Sequence, residues 1–375
     1  VILTRGARTT GSIICAALAA ISAGWIVRDL SEVDGLDELF WFWAGDVRRM
    51  ESLQALPATS VVEPALLLVY LGVAVAAVRS TVAASALVAA GAVTVALRLP
   101  GLWNISSSWM ERRAADDLRS TALICVFVML AGGIALIVTG MGGRRPAFDS
   151  YERPPTRPSQ GVAALGLLLL GALALVRVAW EAYSLYLYED RYEGRLDYGD
   201  RLFGGESSVQ TLLQPPFGWA TIALAALCAV AAVGSARRAS FSRPLGMVAA
   251  VVVLLDGIVS VSLYTKYEVF DHFGEADTSL QLSVATSFFY VVAGGLLLLA
   301  LGRPGEAPYQ GPGGYGGFGG GYGGGYGAPG GYGAPGGYGP SPGYGYPPQA
   351  PPAPGYGPGG GHGAPPPPSS PPPGW

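Results

Sequence analysis

The chain has 375 residues, 50% of them hydrophobic and only 13% charged, with a formal net charge of -3. Soluble domains carry about 25% charged residues, so the composition excludes an ordinary water-soluble protein and makes the lipid bilayer the first expected partner. Cys15, Cys125 and Cys228 all lie inside apolar runs, which excludes a disulfide framework in the polar loops.

Eight apolar runs are long enough to cross a bilayer, since about 20 residues of helix span the hydrocarbon. The first, at about 11–28, lacks a small-residue cleavage site and reads as a retained anchor. Val1 reads as an alternative start codon. The others run at about 64–79, 81–99, 118–140, 161–180, 217–234, 244–264 and 281–302. Backbone groups in lipid must be satisfied within the segment, and the alternation of a β-barrel strand is absent, so these runs are helices.

Arginines set the orientation. Arg5 and Arg8, Arg79, the central group Arg144, Arg145, Arg153 and Arg157, then Arg237, Arg238, Arg243 and Arg303 all fall on one side of an eight-span chain. By the positive-inside rule that side is cytoplasmic, and both termini lie there. The long outer loops, about 29–63 and 181–216, are acidic. They also carry aromatic stretches, "DELFWFWAGDVRRMESLQAL" at 37–56 and "YSLYLYEDRYEGRLDYGDRLF" at 183–203. These are expected to form interfacial amphipathic helices, either packed on their own bundle or serving as a partner-binding cap.

The chain also echoes itself. "AGGIALIVTG" (131–140) returns as "AGGLLLLALG" (293–302), "DELF" and "SLQAL" as "DRLF" and "SVQTL", and "VAA" (88–90) as "VAA" (248–250), in the same order. The expected fold is therefore an all-α membrane protein of eight transmembrane helices, built as two tandem parallel four-helix repeats. The repeats occupy residues 1–143 and 160–303, joined by a cytoplasmic linker at 144–159 and followed by a disordered tail at 304–375.

Asp256, in "VVVLLDGIVS", is the sharpest single residue. A charge at a helix centre costs about 2.5–3.5 kcal/mol on insertion scales, so it faces protein or water and finds a partner. Arg98, Arg177 and Arg28 sit toward the outer ends of their spans, which predicts an outer-half polar cluster. In it Asp256 pairs with Arg98 or Arg177 across the repeat axis. The functional reading is a proton- or ion-coupled site, and the plain reading is a structural ion pair with snorkelling arginines.

His272 and His362 are the only histidines, and no Cys-x-x-Cys, nucleophile elbow or Walker loop occurs. No metal or other cofactor is expected, and no acid–base or nucleophile constellation points to an enzyme.

From about Gly305 the composition becomes Gly, Tyr and Pro. Such a segment cannot bury a core. Tyr315, Tyr322, Tyr326, Tyr332, Tyr338 and Tyr344 read as stickers for weak self-association or a protein partner, against the plainer reading of an inert tether. With no positive charge after Arg303, the tail is not a nucleic-acid binder. A polytopic core followed by "GGYG" and "PPP" strings resembles uncharacterised actinobacterial integral membrane proteins. The resemblance implies a plasma-membrane location and carries no assigned activity. Lys266 is the only lysine in an arginine- and alanine-rich chain, as a GC-rich genome would produce.

The leading expectation is thus a non-enzymatic scaffold, sensor or envelope-organising protein that uses its tail. The alternative is a small-solute or ion transporter with its site between the repeats near Asp256.

Overall fold

Thr4 opens the first helix: its hydroxyl accepts the Ala7 N–H at 3.3 Å, and α1 (Arg5–Glu32) runs on without proline. Such a cap satisfies one of the donors a helix N-terminus leaves unpaired. The protein is described by a computed structural model covering residues 2–33, 35–46, 56–145, 155–190, 197–205 and 208–306. All of these belong to one unit, Val1–Gly314.

After α1 comes the short α2 (Leu36–Trp43), then α3 (Val62–Arg79) and α4 (Ala83–Arg98). Two single turns, α5 (Gly101–Asn104) and α6 (Ser108–Glu111), lead to α7 (Asp116–Gly142). Then follow α8 (Gln160–Asp190), the short α9 (Tyr198–Phe203), α10 (Phe217–Ala236), α11 (Ser242–Lys266) and α12 (Thr278–Gly302). Eight helices are long and apolar enough to cross a membrane: α1, α3, α4 continued by α5, α7, α8, α10, α11 and α12. Each expected run falls on one of them.

One spanning helix runs well beyond its apolar stretch. α8 continues past Trp180 to Asp190, through a stretch with no Gly or Pro to stop it. The helix expected within 37–56 forms over Leu36–Trp43, and residues 47–55 lie outside the described set.

The arginine-rich ends gather at one end of the bundle. β1 (Ile2–Leu3) pairs antiparallel with β2 (Arg144–Arg145), and Arg157 bridges to Glu306. Arg8 Nη1 donates to the carbonyls of Ala77, Val78 and Ser80, at the C-terminus of α3. Arg243 donates from Nε and Nη2 to the Leu301 carbonyl, at the end of α12. These guanidinium groups satisfy carbonyls that a helix C-terminus leaves open, and they complement its negative dipole end.

The most extensive pairings are α1 with α3, α4 with α7, α8 with α10, and α11 with α12. The two groups of four meet where α11 packs on α4 and α3, and α4 also touches α10. Small residues make the close approaches, as packing between apolar helices in lipid requires. A Cβ on Gly91 would strike the Gly133 carbonyl, and one on Gly294 would lie 3.1 Å from the Ala250 carbonyl. One apolar core runs through both groups, from Leu87 and Leu136 to Leu170, Val253 and Leu297. Cys15 and Cys228 are buried in it as free thiols.

At the end opposite these arginines, the expected outer end, the second group is stitched into the first. The Leu212 and Leu213 N–H groups donate to the carbonyls of Pro57 (3.2 Å) and Ala58 (2.9 Å). Arg113 Nη1 donates to the Val209 carbonyl at 2.6 Å. Trp219 Nε1 reaches the Ala96 carbonyl at 2.7 Å, and Trp103 Nε1 the Phe203 carbonyl at 2.5 Å. Val209, Leu212 and Leu213 thereby join Trp25, Ile105, Met110, Ala122 and Val126 in an apolar plug over the outer end of the first group.

Candidate functional site

Among the described residues no such apolar plug covers the outer end of the second group. Arg177 of α8 projects inward and is 5% exposed. Its Nη2 donates to Asp256 Oδ2 of α11 at 2.9 Å. Its guanidinium lies 4.8 Å from the centroid of the Tyr290 ring of α12, a cation–π contact. The pair is held by a single nitrogen–oxygen contact. Arg177 Nε is buried with no hydrogen-bond partner among the described residues, while 42% of the Asp256 side chain is exposed.

That exposure faces cavities. The larger, about 330 Å³, lies between the two groups. Its walls include Arg177, Asp256, Thr221 and Ser260 from the helices, Gln210, Thr211 and Gln214 from the loop before α10, and Phe42 and Trp43 from α2. The Thr211 hydroxyl is buried there without a partner among the described residues. A second cavity of about 210 Å³ opens within the second group, between α8, α10, α11 and α12. It shares Arg177, Thr221 and Asp256 with the first and adds Trp180, Tyr264, Ser283, Thr286, Ser287 and Tyr290. The ion pair therefore stands in the wall between two cavities, the larger one with mostly apolar walls.

One side of the larger cavity is a strap from the first group. The stretch Phe42–Gly45 lines it, and the next residue, Asp46, is 1% exposed. Asp46 Oδ2 accepts from Lys266 Nζ at 2.5 Å and Oδ1 from the Tyr267 hydroxyl at 2.6 Å. Lys266 also sits 4.1 Å over the Trp41 ring. The sole lysine of the chain thus ties α2 to the outer end of α11.

Of the four residues expected to cluster, Arg177 and Asp256 come together and the other two do not. The Arg177–Asp256 pair lies within residues 160–303, between α8 and α11, and does not cross from one expected repeat to the other. Arg98 is paired elsewhere. Its Nη1 donates to Glu63 Oε1 at 2.7 Å and to the Leu213 carbonyl at 3.0 Å, and both side chains are essentially inaccessible. Arg28 sits at the edge, pairing with Asp29 at 2.7 Å and Glu32 at 3.9 Å. The tyrosines Tyr315, Tyr322, Tyr326, Tyr332, Tyr338 and Tyr344 lie outside the described residues.

Three acids counted as loop charge turn out to organise the outer end. Asp29 accepts the N–H groups of Ala58 and Thr59 and the Thr59 hydroxyl. Glu63, in the first turn of α3, accepts the Ser60 N–H and pairs with Arg98. Glu181 accepts from Arg201 and from the Tyr198 hydroxyl at 3.0 Å. Burial, then the Glu181 hydrogen bond, pushes the Tyr198 phenol above its ordinary range. The available signal was position, because each acid abuts an apolar run and lies within a turn of a span end.

Among the described residues no group of His, Cys, Asp and Glu could hold a metal ion. No family model matches the chain, and no curated protein or solved structure does.

Proposed function

We propose that the protein is a non-enzymatic, multi-pass plasma-membrane protein, with both termini cytoplasmic, that takes a small polar solute from the outer face and transports it. The observation that carries this reading is the Arg177–Asp256 pair, which lines two cavities at the outer half of the molecule, with Asp256 partly exposed to them. Intramembrane acids and arginines that face water mark solute or ion pathways.

Helix packing supports the duplication that this reading uses. The pairing of α1 with α3 and α4 with α7 is repeated by α8 with α10 and α11 with α12. Gly133 packs on Gly91 and Val95, as Gly294 packs on Ala250 and Leu254. That aligns Gly133 with Gly294, one residue off the "AGG" echo. Buried Gly11, Leu18, Ser22 and Asp29 likewise correspond to buried Ala163, Leu170, Ala174 and Glu181. Under this register the polar set Arg177, Asp256, Ser283, Thr286, Ser287 and Tyr290 replaces Trp25, Leu97, Ala122, Cys125, Val126 and Met129. One copy keeps an apolar plug and the other carries the polar lining, a difference that a purely structural ion pair does not require.

A transporter needs a closed seal below its outer cavity. Ala65, Leu224 and Val252 form a small packed cluster between the groups, with Leu224 and Val252 in the outer cavity wall. A separate cavity of about 250 Å³ lies between the groups on the arginine-rich side, bordered by Val69, Val248 and Arg243. Rocking of one half against the other around this seal is the motion expected of parallel repeats.

The reading is tested by Ser260→Cys in a chain whose native cysteines are alanine. A membrane-impermeant maleimide added outside labels it. Failure to label from either side of the membrane contradicts the solute pathway.

The second reading, an interaction platform at 304–375, is favoured by the change of composition at Gly305. Identical partner capture by the full chain and by one ending at Arg303 contradicts it.

A further inference from the structure

We propose that the solute is a small zwitterion of the α-amino-acid class, bound by splitting the Arg177–Asp256 pair; this rests on the solute-cavity reading above. The site already holds one cation and one anion in contact, 2.9 Å apart. A solute with a single net charge would leave one of them uncompensated in a poorly solvated space, which is costly. A zwitterion exchanges one neutral pairing for two. Its carboxylate takes the guanidinium and its ammonium takes the carboxylate.

Both protein groups have capacity to spare. Arg177 makes one contact to Asp256 through Nη2, and its buried Nε has no partner among the described residues, so a carboxylate that reaches both nitrogens makes a bond that the pair itself does not make. Asp256 turns its exposed face to the cavity and can accept an ammonium without being displaced far. The Thr211 hydroxyl and the side chains of Gln210 and Gln214 stand near for the solute's remaining polar atoms. Phe42 and Trp43 supply an apolar wall against which a solute side chain can rest. A cavity of about 330 Å³ falls at the small end of ligand pockets.

The experiment uses the full chain in lipid nanodiscs, with Ser260→Cys in the cysteine-free background, and reads the rate of maleimide labelling. Probes are L-glutamine and L-alanine, which carry both charges. N-acetyl-L-alanine carries the carboxylate alone, L-alanine amide the ammonium alone, and glucose neither. The expected result is protection by the zwitterions, with half-protecting concentrations at least about tenfold lower than for any other probe. Arg177→Gln and Asp256→Asn each abolish protection while the cysteine still reacts, and the double variant behaves as they do.

Equal protection by a singly charged probe or by glucose overturns the zwitterion class and leaves the solute cavity standing. A reactive cysteine that no probe protects also overturns the class. An unreactive cysteine, repeated with Thr221→Cys to guard against a local packing defect, overturns the cavity itself.

Discussion

Glu63→Gln removes one charge from the most deeply buried ion pair and leaves the shape of the side chain unchanged. Glu63 is 0% and Arg98 1% exposed, and their contact is 2.7 Å. At an effective dielectric constant of 20, unit charges at that separation attract by about 6 kcal/mol before desolvation. Removing one partner of such a pair costs about 3–5 kcal/mol, because the other charge stays buried and uncompensated. Here the residual charge would be severe, since Arg98 Nε and Nη2 already lack partners among the described residues. Thermal unfolding of the purified protein in detergent reads the loss. Asp116→Asn is the control, because Asp116 pairs with Arg119 at 3.2 Å with its side chain 94% exposed. It should change stability by no more than about 0.5 kcal/mol. The double variant Glu63→Gln with Arg98→Met removes both charges and recovers most of the loss. An effect of Glu63→Gln no larger than that of Asp116→Asn, or a double variant that loses the sum of its singles, refutes the reasoning.

Other expectations follow from single contacts. Lys266→Ala releases the Asp46 strap beside the larger cavity and speeds labelling of Ser260→Cys by about tenfold, the equivalent of one charge-assisted contact; an unchanged rate means the strap does not limit access. Gly91→Val drives a side chain into the Gly133 backbone and destabilises by at least about 1–3 kcal/mol, seen as a lower melting temperature. Tyr198 ionises above its ordinary value of 10.0 in the folded protein. Its contribution is therefore fully present below pH 10 and is lost as pH rises through the folded value. Ultraviolet titration of the protein minus that of Tyr198→Phe should show one phenol with a midpoint above 10, and a midpoint below 10 contradicts its burial against Glu181.

The eight spans were legible because twenty-residue apolar runs have no other home and no loop imitates them. The Asp256–Arg177 contact was half legible. A charge inside "VVVLLDGIVS" demands a partner, but three arginines stood at similar depth and only helix packing selects among them. Arg98 was misplaced because Glu63 was counted as loop charge. The residue opens α3 directly before an apolar run, so it enters the protein and not the solvent. The cavities were not legible at all. They depend on how space is filled: Val209, Leu212 and Leu213 plug one bundle, and among the described residues no equivalent segment plugs the other. The strap of Asp46 onto Lys266 joins residues 220 apart in sequence, with no local pattern at either end.

The central claim is that one of the two bundle mouths is an open site lined by polar side chains and the other is closed by an apolar plug. The direct measurement places cysteines at the matching positions, Ser283→Cys and Ala122→Cys, in the cysteine-free chain, and compares their labelling by an impermeant maleimide from the outer face. Ser283→Cys should react and Ala122→Cys should stay unlabelled until the protein is denatured. Equal reactivity at both, or labelling of Ala122→Cys alone, contradicts the account.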